Sequence, residues 1–495
     1  MNISVKKLNI LLWGIAVLLF SYAIVFNDLS GISEGWEWRC ALVATINIAY
    51  YIYIWRTMNF RWMSPKFFVL FSLIMFHISS VIVIGYDWRF YGIKYTTNEM
   101  LYRYGNYWGF WGTIYALLFV FVYVIGIVCF SNVENRNSIS RVTATCTDQT
   151  LRVCRRIGLF MFFIAVFPQL YHDITQIFVK NKVGYEGMFE VDITFYGIPL
   201  GWFTKLFLPS ILLILSSYRN DKKKFTIIFL ITIFYFLIFM FLTGRKGNTI
   251  QTIVPLVFLY CIFFKTKLRI SYIILAYFGA FFVTVVTNIR KMTIDGSFFE
   301  KLKEIISESE PIKGLCLEMG GTVKAIIQAL MAIPATGNFQ YGRTYIASFV
   351  YSILSGLKLP VDSLEKYALF NVFLEQPERG QYINSTVYAM GGSAVAEWYW
   401  NFGWYGIPLV LLFSFFIVKF ESYLLSLYNR PVGFAVATSF LYYLMRYTRG
   451  YFNEIIWQPI YIIVFVWIIY KVFVKTNTKS VDIKLKANNY SSYID

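Results

Sequence analysis

Windows of about twenty apolar residues recur along the chain, beginning with "LNILLWGIAVLLFSYAIVF" at 8–26, the length a helix needs to cross a bilayer. No other feature limits the backbone so strongly. Inside lipid every N–H and C=O must be satisfied by the chain itself, which leaves helices or closed barrels. A barrel would show alternating segments of roughly ten residues, and the sequence shows none. The balance of 58% hydrophobic to 15% charged residues agrees, so an all-α polytopic integral membrane protein is expected. The first apolar run follows Lys6 and Lys7 without a small-residue cleavage site, so it reads as a retained helix rather than a signal peptide.

Hydropathy marks about twelve spans, near 8–26, 39–55, 67–85, 108–130, 157–179, 195–217, 225–242, 249–264, 269–287, 405–420, 432–446 and 457–474. With both termini in the cytoplasm, the inner loops include "RTMNFRWMSPK", "RVTATCTDQTLRVCRR", "RNDKKK" and "KTKLR". All are basic, as the positive-inside rule requires. The whole net charge of +18 then falls on the cytoplasmic side, where it orients the protein and meets anionic lipid. Nucleic acid is not needed to explain it. The expected organisation is a transmembrane bundle over 1–287, a long external loop over 288–404 with short amphipathic helices, further spans over 405–474, and a cytoplasmic tail over 475–495.

Six cysteines are scattered without CxxC or Cys/His spacing, so no disulfide or zinc framework is implied. Neither histidine, His77 or His172, lies in the long loop, and a lone histidine within a span is more often packed or hydrogen-bonded than catalytic. The external segments carry no His/Glu/His spacing and no clustered acidic pair, and chemistry without metal or other cofactor is expected.

The long loop is too long for a mere connection. "FFEKLKEIISESE", "GGTVKAIIQALMAI" and "TYIASFVYSILSGL" read as amphipathic helices able to roof a cavity. Two glycine turns each adjoin a carboxylate, "LEMGGT" with Glu318 and "GGSAVAEWYWNFGWYG" with Glu397. Each acid is a candidate general base, although a glycine pair capping a helix is the commoner arrangement. Trp398, Trp400 and Asn401 follow Glu397 and would suit a sugar platform, with Tyr341 and Arg343 of "YGRTY" as further sugar contacts. Aromatics at a span end are equally an interface belt, and both readings stand.

Arginine suits a diphosphate because its planar fork binds oxyanions in pairs and keeps its charge. Arg245, Arg290, Arg343, Arg446 and Arg449 all map to the external side, although an interfacial arginine can also simply snorkel. Arg245 is the strongest: in "GRKG" it stands with Lys246 in a tight turn between two spans, where positive charge is not needed for orientation. Lys205, near the middle of the proline-broken 195–217 run, is a candidate cavity residue.

The external "GRKG" hairpin and the late loop running "LEMGGT…YGRTY…GGSAVAEWYWNFGWYG" resemble the Wzy-type O-antigen or oligosaccharide repeat-unit polymerases, over most of 225–460. The resemblance implies a GT-C-like glycosyltransferase in the bacterial inner membrane with a periplasmic active site. It further implies en bloc transfer of a glycan from undecaprenyl diphosphate to another lipid-linked repeat unit, and a chain-length regulator as partner. On that reading the arginines hold the diphosphate, Glu397 or else Glu318 serves as base, Arg343 lies nearer the acceptor, and Lys205 faces the cavity.

Two rivals are weighed. A lipid-linked oligosaccharide flippase would usually show two related halves and short loops on both faces, and no internal repeat is visible. An O-antigen ligase would be expected to carry a histidine in its long external loop, and this loop has none.

Overall fold

The computed structural model describes residues 5–26, 35–93, 105–131, 146–183, 194–195, 198–266, 310–336, 339–356 and 392–491, with isolated positions between them. These are helical apart from one two-residue antiparallel pair, β1 (Thr194–Phe195) with β2 (Ile198–Pro199). The helices are α1 (Val5–Val25), α2 (Trp36–Thr57), α3 (Pro65–His77), α4 (Ser79–Tyr91), α5 (Asn106–Phe130), α6 (Asp148–Val183), α7 (Gly201–Thr204), α8 (Phe207–Ser217), α9 (Lys222–Thr243) and α10 (Lys246–Phe264). They continue with α11 (Pro311–Gly320), α12 (Val323–Thr336), α13 (Arg343–Gly356), α14 (Ala394–Phe402), α15 (Gly406–Ser426), α16 (Pro431–Thr448) and α17 (Asn453–Ser491).

Local chemistry sets several helix ends. Ser64 caps α3 by accepting the Phe67 N–H at 3.3 Å, with Pro65 in the first turn where no N–H is required. Asp221 caps α9 through the Lys224 N–H at 3.0 Å. Gly244, at φ 75°, ends α9 in the left-handed conformation that favours glycine. The glycine before Arg245 is thus a helix stop, which accounts for the tightness of the hairpin.

Among the described residues, seven helices or helix pairs are long and apolar enough to cross a membrane, or eight if the pair α3–α4, bent by 47°, counts as one span. This is a multi-pass membrane protein. Fewer spans emerge than the twelve expected. α2 and α16 form where spans are expected without being among those seven, and 269–287 lies outside the described residues apart from Gly279. The 195–217 run is interrupted by the β pair and the break between α7 and α8, so Lys205 is an exposed residue at that break rather than a mid-span cation.

The second correction concerns the long loop. Ile312–Pro334, spanning α11 and α12, is itself apolar enough to cross a membrane. α12 buries Ile326, Ile327, Ala329, Leu330 and Ile333 and packs on α5 and α14. A helix apolar on most sides belongs in a core rather than on a roof. α13 does carry an apolar outer face, with Ile346 and Phe349 outward and Thr344, Ala347, Ser348 and Ser352 inward. The helix "FFEKLKEIISESE" lies almost wholly outside the described residues. α17 continues to Ser491, so the boundary expected at 474 falls within a helix.

The chain forms two compact units. The first comprises the described residues within Met1–Arg141, Leu268–Tyr423 and Tyr443–Trp457. At its centre is α5, which buries most of its length, including Tyr115, Phe119 and Tyr123. Lipid offers no water-exclusion drive between helices, so close packing and interhelical hydrogen bonds hold them. A methyl at Gly126 would stand 2.5 Å from the Ser414 Cβ on α15, and the Ser414 hydroxyl bonds the Tyr123 carbonyl at 3.0 Å. Near the other end of α5, the Tyr115 hydroxyl donates to the Gly403 carbonyl at 3.1 Å.

The second unit comprises the described residues within Val142–Lys267, Leu424–Tyr442 and Gln458–Asp495. α6 packs on α8, α7 and α9, and α10 packs on α9 and α8. Arg219 ties one corner: its guanidinium stands 4.1 Å from the Tyr428 ring and 4.7 Å from the Phe263 ring and donates to the Tyr428 carbonyl at 2.6 Å.

Candidate functional site

In the first unit, polar side chains gather where α14, α13 and the α16–α17 turn meet. Ser393 caps α14 by accepting the Ala396 N–H at 3.2 Å. Its hydroxyl also lies 2.9 Å from His77 Nε2, while His77 Nδ1 lies 3.1 Å from the Leu73 carbonyl. A carbonyl can only accept, so Nδ1 carries the hydrogen; in the neutral ring Nε2 then accepts from the serine. His77 is a packing and capping residue at the α3–α4 bend.

One helical turn on, Glu397 is buried at 1% exposure. Its Oε2 accepts the Phe452 N–H at 2.9 Å, and its Oε1 meets the Thr344 hydroxyl at 3.4 Å. Asn401, one further turn along, donates from Nδ2 to Thr344 Oγ1 at 2.7 Å and to the Glu397 carbonyl at 2.8 Å, and accepts the Gly342 N–H at 3.0 Å. The Asn401 and Trp400 carbonyls accept the Tyr341 and Gln340 N–H groups at 2.9 and 3.0 Å. That clamp holds Tyr341 (φ 47°) and Gly342 (φ 85°) in left-handed conformations and brings exposed Tyr341 and Arg343 to the start of α13.

The glycines of both turns serve close approach. A methyl at Gly392 would stand 2.7 Å from the Gly450 backbone, which draws the start of α14 against the α16–α17 turn. Gly320 is pressed on Ser80 of α4 in the same way, at 2.5 Å, and the Ser80 hydroxyl bonds the Gly320 carbonyl at 3.1 Å. Glu318 stands half-buried on α11 in that packed helix pair.

Arg446 and Glu454 form a two-pronged pair, Nε to Oε2 at 2.8 Å and Nη2 to Oε1 at 2.9 Å. Arg449, exposed on the same turn, lies 5.6 Å from the Phe76 ring. The sugar-platform reading of the tryptophans is not what the packing presents. Trp400 is fully buried, and Trp398 is 9% exposed, with its indole N–H on the Tyr447 hydroxyl at 3.2 Å and its ring against Phe119 and Phe402. Their faces are occupied by protein because α14 is enclosed by α12, α13 and α5.

The second unit holds Arg245, half-buried at the N-cap of α10. Its Nη1 donates to Gln176 Oε1 at 2.7 Å. That fixes the amide, so Gln176 Nε2 donates to His172 Nε2 at 2.9 Å. The imidazole accepts there and carries its hydrogen on Nδ1, 2.9 Å from Asp173 Oδ1. Asp173 also accepts from Gln169 Nε2 at 2.9 and 3.0 Å and from the Tyr235 hydroxyl of α9. Lys180, one turn beyond Gln176, bonds the Leu242 carbonyl at 2.6 Å at the C-terminal end of α9, where a cation is favourable.

Sequence reasoning noted His172 as a lone histidine and missed this ladder. The available signal was the spacing of Gln169, His172, Asp173, Gln176 and Lys180, which marks one helix face at i, i+3, i+4, i+7 and i+11 inside a mostly apolar segment. Arg290 lies outside the described residues, as does the side chain of Lys246.

Fold and site together define a multi-pass helical membrane protein with two polar clusters among its apolar helices, one built on a buried carboxylate and one on an arginine at a helix start. A family model described as O-antigen polysaccharide polymerase Wzy matches residues 9–477, and the chain belongs to that family. Comparisons with curated proteins and with solved structures gave no match.

Proposed function

We propose that the protein joins undecaprenyl-diphosphate-linked repeat units into O-antigen polysaccharide by en bloc glycosyl transfer at the periplasmic face of the bacterial inner membrane, on a GT-C-like architecture. The acceptor hydroxyl attacks the anomeric carbon of the donor glycan, the bond from that carbon to the diphosphate oxygen breaks, and the lipid diphosphate leaves with its electron pair. The hydroxyl proton passes to a carboxylate.

The observation that carries this reading, beside membership of the family, is Arg245. The first N–H groups of α10 have no partner within the helix, and an arginine at the cap adds a full charge and a planar fork. That combination suits an anion whose charge grows as the bond breaks. Lys246 and Arg290 are proposed as accessory diphosphate contacts, and Lys205 as a cavity residue. Arg446, whose fork is held by Glu454, and Arg449 are proposed as further contacts.

Glu397 is proposed as base, with Glu318 second. One Glu397 oxygen is held firmly by the Phe452 N–H, and among the described residues the other has the longer Thr344 contact, so the second is the oxygen proposed to take a proton. Thr344, which meets that oxygen, is bonded by Asn401 and follows Arg343 in the chain; the acceptor glycan is proposed to contact Arg343, Tyr341 and Asn401, with the buried Trp398 and Trp400 acting from behind as support. A chain-length regulator is the proposed protein partner.

The test uses purified protein in proteoliposomes with a lipid-linked repeat unit and a chelator, and resolves the products by size. A ladder of repeat multiples is expected without added metal. Unextended substrate that nonetheless crosses the bilayer would make the protein a transporter.

A further inference from the structure

Arg245 does not stand alone, and the groups behind it have a single direction of hydrogen bonding. Asp173 can only accept, so it fixes the His172 hydrogen on Nδ1; the bare Nε2 then fixes the Gln176 amide; and the amide presents its oxygen to Arg245. Reversing any one link would turn an N–H of Gln176 toward the guanidinium. Gln176 and Asp173 are each 4% exposed, and Tyr235 and Gln169 close the far end. A plain structural bond between α6 and α10 would not require four side chains oriented in series.

We propose that Gln176, His172 and Asp173 are positioning residues that aim the Arg245 guanidinium. This rests on the reading of Arg245 as the diphosphate contact and deepens it. Arginine has four rotatable side-chain bonds, and aiming it before the anion arrives removes an ordering cost from binding and from reaction. The three residues touch no substrate. Their influence passes through Arg245 and diminishes with distance along the ladder, with Gln176 first, His172 next and Asp173 last.

The experiment is a double-mutant cycle on the full-length protein in nanodiscs. It reads affinity for undecaprenyl diphosphate together with kcat/KM for chain extension, and melting temperature as the fold control. Arg245→Ala should weaken the diphosphate probe by at least about tenfold. Gln176→Met, which keeps volume and removes the acceptor, should weaken it about five- to tenfold, since contacting residues couple by such amounts. The Arg245→Ala/Gln176→Met variant should be no weaker than Arg245→Ala alone. His172→Phe, combined with Arg245→Ala in the same way, supplies a second cycle should Gln176→Met fail to fold. Losses that multiply in the double variant would overturn the positioning role while leaving Arg245 in place. An Arg245→Ala protein that binds the probe normally would instead remove the diphosphate reading, and the ladder's role with it.

Discussion

The two polar clusters are built on opposite plans. Around Glu397, most bonds run from a side chain to a backbone group: the carboxylate takes the Phe452 N–H, and Asn401 takes the Gly342 N–H and gives to the Glu397 carbonyl. Around Arg245 they run from side chain to side chain in series, from Asp173 through His172 and Gln176 to a cation. The first plan fixes where chain segments lie, and losing a member should disturb the fold. The second fixes where one charged group points, and losing a member should disturb affinity while the fold holds. Glu397 belongs structurally to the first plan and is asked to do chemistry as well, so it is the sharpest place to test the contrast.

Glu397→Gln should have the largest effect. Glutamine can still accept the Phe452 N–H and can donate to Thr344, so the melting temperature should stay near that of the unaltered protein. Chain extension should fall about 10²- to 10⁴-fold if the carboxylate is the general base. Normal extension would leave Glu397 as a clamp only and make Glu318 the next residue to test.

Asn401→Ala should come next, on stability. It strands the Gly342 N–H and removes a partner from Thr344, which costs about 1–3 kcal/mol when such groups are buried. A lowered melting temperature is expected. An unchanged melting temperature with lost activity would reverse the assignment of plans.

Arg446→Ala should cost less, about 1 kcal/mol, because the pair with Glu454 is partly exposed, at 32% and 17%. Arg343→Ala, at an exposed position, should change stability by less than about 0.5 kcal/mol. Loss of extension in that variant would support its place beside the acceptor.

The helical membrane class and the positions of α1, α5, α9 and α17 were legible in the sequence, because apolar length is a local signal. What the sequence did not yield depends on tertiary packing. α12 looked like an amphipathic roof helix because Lys324 and Gln328 gave it a polar side, whereas it is buried on most sides. The tryptophans beside Glu397 stood evenly between an interface belt and an open platform because composition cannot say which side of α14 is enclosed. The α6 ladder went unread because its purpose shows only when Tyr235 of α9 and Arg245 at the start of α10 close on that helix face. The glycine turns were singled out for the acids beside them, whereas Gly392 and Gly320 serve to admit other backbone.

The most direct measurement is chain extension by Arg245→Lys in proteoliposomes, with products resolved by size and affinity for undecaprenyl diphosphate measured alongside. Lysine keeps the charge and loses both the fork and the geometry of the Gln176 bond. The account predicts a collapsed ladder and weakened diphosphate binding in a protein that melts normally. A ladder of ordinary length with ordinary affinity would contradict it and move the diphosphate site away from the α9–α10 turn.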